Sequence, residues 1–217
     1  MSRVSESEHP VKRRVPQQVR SRDRFERVLE ATADLVVAGG VESVNTRVIA
    51  SAAGIPVASL YQYFADKDEV LLALVQRDLA ELDAQITEDL SELSMISVRS
   101  LVETTMQACA KVYRRRPAFV VIWLRGRSNV AVNELCRRHN QRVAAELFAL
   151  ARRAGMVTEP ATGLHAELAY EVSDRLFQIA FERSFDGDRH VIDEGIAVVS
   201  SYLETHATPD GIAGVTP

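Results

Sequence analysis

Cysteine is almost missing from this chain of 217 residues: there are two, Cys109 and Cys136, each inside an apolar pattern. They form no spaced framework, which predicts reduced core thiols in a cytosolic protein. Glycine and proline are sparse, aromatic residues make up only 6%, and neither a repeat nor a low-complexity run occurs. No apolar run reaches the ~18–20 residues that a membrane span needs. The first residues, Met-Ser-Arg-Val-Ser-Glu, lack an apolar signal core. The expectation is therefore a cytoplasmic protein with no membrane partner. No stretch alternates apolar and polar residues as a strand would. His-Glu-x-x-His, Gly-x-Ser-x-Gly and a glycine-rich phosphate loop are all missing, as is the paired Glu-x-x-His of a di-metal bundle. No catalytic residue, metal or cofactor is expected.

What is present is helical periodicity. Hydrophobic residues make up 47% of the chain, enough for a substantial core. The length suits one large helical domain, or a small one joined to a larger. The net charge of −4 hides an asymmetry. Residues 1–63 carry nine Lys/Arg against seven Asp/Glu, and the remainder 17 against 23. Lys12, Arg13, Arg14, Arg20, Arg22, Arg24 and Arg27 crowd the front. A basic front and acidic back suit a protein that meets phosphates at one end.

The expected fold is all-α with about nine helices. Residues 1–20 read as a disordered basic arm. Phe25, Val28, Leu29, Leu35 and Val36 form the stripe of a first helix from Ser21, stopped by Gly39-Gly40. Asn45 should cap a helix starting at Thr46. Asp66 with Glu69 should form the capping box of a long helix to about residue 93. Further helices follow from Ser97 to Arg116, over 117–125, and over 130–154. The helix at 162–184 has two apolar faces: Leu164, Leu168, Val172, Leu176 and Ile179 on one side, Tyr170, Phe177 and Phe181 on the other. It must be covered on both. Val191, Ile192, Gly195, Ile196, Val199, Tyr202 and Leu203 mark the last helix. Residues 207–217 read as a flexible tail. His139 and His165 are expected to face solvent or to satisfy a local hydrogen bond.

The most informative stretch is 46–65. It reads as two short helices held at an angle. Ile49, Ala50 and Ala53 face Leu60 and Phe64, and Gly54 sits at the turn, where a left-handed backbone carries no Cβ penalty. That spacing is a helix-turn-helix, whose second helix enters the DNA major groove. The run Leu60-Tyr61-Gln62-Tyr63-Phe64-Ala65-Asp66-Lys67-Asp68-Glu69 resembles the TetR family of bacterial transcriptional regulators. The specific match covers about the first third of the chain.

The resemblance implies a helix-turn-helix DNA-binding domain at 21–66 and a regulatory and dimerisation domain at 67–206. It implies a homodimer that reads a palindromic operator, represses, and is released when a small apolar effector tilts the helix at 67–93. By position, Thr46, Arg47, Val57, Ala58, Ser59, Tyr61, Gln62, Tyr63 and Lys67 would meet DNA. Arg47 could reach a guanine edge, Gln62 an adenine, and Val57 or Ala58 a thymine methyl; the tyrosines and Lys67 suit phosphates. Pro56 stands where many members place a capping Ser or Thr, and Ala58 where a glycine is common. Met106, Tyr113, Phe119, Trp123, Phe148, Tyr170 and Phe177 are core candidates, some of which would line an effector pocket. Leu168, Val172, Leu176, Ile179, Ile192, Ile196, Val199 and Leu203 would form the dimer interface. The competing readings are a helical small-molecule-binding or scaffold protein that has lost DNA reading, and, further off, an α-helical enzyme.

Overall fold

Three- and four-residue apolar spacing puts side chains on one face of each helix, and those faces close on one another. A computed structural model describes residues 17–126 and 129–216. Among them are ten α-helices and no sheet. The helices are α1 (Gln17–Gly39), α2 (Thr46–Ala52), α3 (Val57–Leu60), α4 (Lys67–Ser91) and α5 (Val98–Arg115). They continue with α6 (Pro117–Phe119), α7 (Val130–Arg153), α8 (Gly163–Ala180), α9 (Arg189–Glu204) and α10 (Pro209–Ala213). A 3-10 turn, Val41–Ser43, follows α1.

α1 packs against α2 and α4, and α2 against α3, which makes a small head. α4 then leaves the head and lies along α5 and α7. α8 is sandwiched between α7 and α9, and α9 packs on α5. The long helix α4 is thus the shared element of both halves. Asn45 caps α2 as expected, its side chain accepting from the Arg47 and Val48 amides. Ser97 and Ser100 form a reciprocal capping box at the start of α5.

Four expectations are corrected. α1 begins at Gln17, so residues 17–20 of the segment read as an arm are helical; residues 1–16 lie outside the described residues. Pro117 opens only one turn of α-helix, and Val120–Gly126 widens into a π-helical turn, a rare form. α8 stops at Ala180 rather than Ser184. Residues 207–216 are also ordered. Val215 and Ile96 exchange backbone hydrogen bonds at 2.8 Å each way, and Thr208 binds the Met156 and Gly155 carbonyls. Gly211 lies so close to Met156 that an added Cβ would sit 2.1 Å from its carbonyl oxygen. Such backbone pairing leaves no periodic signature for a sequence reading to detect.

Candidate nucleic-acid interface and effector cavity

The head is built around a few fully buried apolar residues. Ile49, Ala50 and Leu60 have no exposed surface, and Phe64 stacks on Phe25 at 5.1 Å between centroids. Gly54 takes φ +64°, the left-handed region that turns α2 towards α3. Pro56 precedes α3 and supplies no side-chain cap.

This packing sends the other face outward. Arg47, Ala58, Tyr61 and Gln62 are exposed; Thr46, Val57, Ser59, Tyr63 and Lys67 are half-buried. The structure ties several of them together. The Tyr61 hydroxyl lies 3.2 Å from Thr46 Oγ1 and bridges α3 to α2. The Tyr63 hydroxyl lies 3.0 Å from Ser21 Oγ, while its ring meets Phe25 edge-on. Ser21 and the exposed Val48 are not among the expected DNA-contact residues: the sequence marks Ser21 only as a helix start, and Val48 only as part of the first short helix. Asp66 caps α4 through the Glu69 amide. Glu69 does not close the expected box: it accepts from Ala65 N–H, one residue earlier.

An ionic cluster joins head and body. Arg77 on α4 reaches Glu26 and Glu30 on α1. It also donates to Asp78 Oδ1 at 3.3 Å, and Arg116 lies 3.7 Å from the same oxygen while pairing with Glu81. Asp78 is 1% exposed, and burial pushes its carboxyl up to about 6 despite both arginines. His139 is also buried, and its bond reaches Asp83 on α4 rather than the solvent or local partner expected. Its Nε2 lies 2.8 Å from Asp83 Oδ1, and burial holds the imidazole below its ordinary value against that carboxylate. His165 does satisfy a local bond, its Nδ1 accepting from the Thr162 amide at 3.0 Å.

A cavity of about 90 Å³ lies between α5, α7, α8 and the end of α9. Of the expected lining residues it has Met106, Phe148 and Tyr170. Tyr113, Phe119 and Phe177 instead pack ring to ring, with centroids 5.2–5.5 Å from Tyr113, and the Trp123 indole donates to Asp174 at 2.9 Å. Large rings fill space rather than leave it. The cavity occurs where small residues face each other: Ala144, Ala151, Ala166 and Ala169. Cys109 and Cys136 are buried thiols outside any disulfide, and burial pushes the Cys109 thiol up to about 12.

The two apolar faces of α8 divide as expected except at Leu176, which is half-buried against the chain's own core and Gly195 of α9. Phe177 points inward, while Leu164, Leu168, Val172 and Ile179 are exposed. On α9 the assignment is corrected. Ile192, Ile196 and Val199 are buried in this subunit's own core, and Leu203 is half-buried against it. Val198, exposed by 53%, and Tyr202 face outward instead. Among the described residues no helix is long and apolar enough to cross a membrane, and no group of three or more His, Cys, Asp or Glu could hold a metal ion.

Two family models match. Residues 28–74 match "Bacterial regulatory proteins, tetR family", and residues 97–203 match "Tetracyclin repressor-like, C-terminal domain". Over 64 residues the chain is 36% identical to the HTH-type transcriptional repressor KstR of Mycobacterium tuberculosis, covering 30% of this chain and 29% of that protein. The KstR of Rhodococcus jostii is 34% identical over the same length. The match thus spans under a third of these curated relatives. A TetR-family transcriptional regulator from Streptomyces coelicolor superimposes with a TM-score of 0.67 at 28% identity, covering 84% of this chain and 99% of that one. FadR from Bacillus subtilis, solved with stearoyl-CoA, shares the fold at a TM-score of 0.67 and 15% identity, over 82% and 97% of the two chains.

Proposed function

This chain belongs to the TetR family of bacterial regulatory proteins, and from that premise we propose that it is a ligand-responsive transcriptional repressor. It reads a palindromic operator as a homodimer and leaves it when a small apolar molecule enters the cavity between α5, α7, α8 and α9. The observation that carries this reading is the head. α2 and α3 are braced by the Thr46–Tyr61 contact, and Arg47, Ala58, Tyr61 and Gln62 are exposed on the head's surface. Arg47 and Gln62 are the base-reading groups; Thr46, Tyr61, Tyr63, Lys67 and Ser21 hold phosphates. Val57 and Ala58 offer apolar contact to thymine methyls.

Dimerisation uses the outward faces of α8 and α9, chiefly Leu168, Val172, Ile179, Val198 and Tyr202. Exposed apolar patches of this kind mark interaction surfaces. A dimer presents two reading heads to successive major grooves. The cavity is smaller than the ~150 Å³ that accommodates benzene in an engineered protein. A larger effector must therefore push its walls apart. α5 forms one wall and lies along α4, whose first turn carries Lys67. An effector that favours the expanded packing shifts the population away from the DNA-competent one.

The test is binding of the full chain to DNA from its own upstream region at several salt concentrations. Affinity should fall steeply with salt, and a triple variant with Arg47, Tyr61 and Lys67 replaced by Ala should lose it. Equal binding to any DNA sequence would overturn the operator reading.

A further inference from the structure

The lining of the cavity restricts what can enter it, given the reading above that it is the effector site. No Lys, Arg, Asp or Glu lines it. Its polar groups are the hydroxyls of Thr105, Ser173 and Tyr170 and the imidazoles of His165 and His206. Most of these are already engaged. Ser173 donates to the Ala169 carbonyl at 2.8 Å. Tyr170 meets the Cys109 thiol. The His165 and His206 rings lie 4.0 Å apart at the end formed by the 155–162 loop and the close of α9. Thr105 differs from the rest. It is 5% exposed, it sits on α5 in the cavity wall, and its Oγ1 has no protein hydrogen-bond partner. A threonine inside a helix ordinarily donates to the carbonyl three or four residues back. This one keeps its hydroxyl unpaired beside the cavity, where a molecule that parts the walls reaches it.

We infer that the cavity takes an uncharged, mainly apolar molecule with one hydroxyl or carbonyl oxygen, which accepts the hydrogen bond of Thr105. Alcohols, ketones and esters fit this description. A carboxylate or phosphate would be stripped of water among Val, Leu, Met and Ala side chains with no Lys or Arg to meet it and only the His165 and His206 imidazoles at one end, at a cost above that of a neutral oxygen. The apolar part rests against Leu101, Met106, Leu147 and Phe148.

The test compares 1-octanol, octanoate at pH 8 and octanoyl-CoA by calorimetric titration of the full chain. Octanol should bind, and the two anions should bind at least about 100-fold more weakly. Thr105→Val, which keeps the shape, should weaken octanol about fivefold to tenfold, and Thr105→Ser should restore it. The valine variant should also melt no lower than the parent, because it removes an unsatisfied buried hydroxyl; a merely structural threonine would melt lower. Octanoate or octanoyl-CoA binding as tightly as octanol overturns the inference and leaves the ligand-responsive reading intact. Equal octanol affinity in Thr105→Val and parent overturns the assignment of Thr105. If no probe binds while upstream DNA still does, the inference and the effector site fall together and the DNA-binding reading stands.

Discussion

The head and the body of this molecule treat polarity in opposite ways. In the head, most apolar groups go inside, Val48 and Ala58 excepted, and the one buried polar residue among those described, Thr32, is satisfied by the Val28 carbonyl at 2.7 Å. Beyond residue 67 lie Asp78, Thr105, His139, Asn140, Ser173, Asp174 and Ser200, which are the rest of the buried polar residues among those described. The same half leaves Leu164, Leu168, Val172 and Val198 outside. Asp78 Oδ2, Thr105 Oγ1, Asn140 Nδ2 and Ser200 Oγ lack protein partners. Each such atom costs about 1–3 kcal/mol. The head holds a single packing with margin. The body carries more uncompensated polar burial than the head.

The largest expected effect tests the head's single packing. Phe64→Ala should destabilise by about 3–5 kcal/mol and abolish DNA binding, because Phe64 carries α3 against Phe25. Phe119→Ala should cost as much in the body. Normal operator affinity for Phe64→Ala at 25 °C would break the contrast.

Next comes the acid response of the body. Asp78 has a folded pKa of about 6 against an ordinary 3.8, raised by burial, so the folded state holds the proton more tightly. Its contribution to stability is full below about pH 4 and is lost as pH rises through 6, about 3 kcal/mol in all. Asp78→Asn should remove that slope from urea midpoints measured between pH 4 and 7. Parallel curves for variant and parent would place the titration elsewhere.

The third prediction separates the outer and inner faces of α8 and α9. Val172→Glu should raise the dimer dissociation constant about 100-fold in sedimentation, since an apolar interface must then desolvate a carboxylate. Ile196→Glu should instead lower the melting temperature, because Ile196 faces its own core. Reversed outcomes would restore the α9 stripe as the interface. The smallest effect returns to the head: Asn45→Ala removes the cap of α2 and should cost about 1 kcal/mol in chemical denaturation. No change would mean that the Thr46–Tyr61 contact alone holds that helix end.

The same contrast explains what could be read from the sequence. Short helices joined by a tight turn leave little latitude, so Asn45, Ala50, Gly54, Leu60 and Phe64 declare the head by identity and spacing. On α9 the apolar stripe was legible, but periodicity says that Ile192, Ile196 and Val199 share a face, not which body covers it. The aromatic residues drew attention as pocket lining because they are large, and for that reason Tyr113, Phe119 and Phe177 became filling. Alanine at 144, 151, 166 and 169 was the available signal for empty space. The docking of 207–216 rests on backbone pairing and on the bare Cα of Gly211, which hydrophobic patterning does not encode.

That docking has a mechanical side. Because Ile96 and Val215 are stitched together, the chain from one to the other is a closed loop whose two ends meet at one spot. Tension applied at the C-terminus would load this two-bond clasp first, peeling it open before any force reached α5 or the reading head. For grafting, both joins of segment 96–215 lie side by side, but α4 packs along α5 and α7 and would have to be exchanged with it.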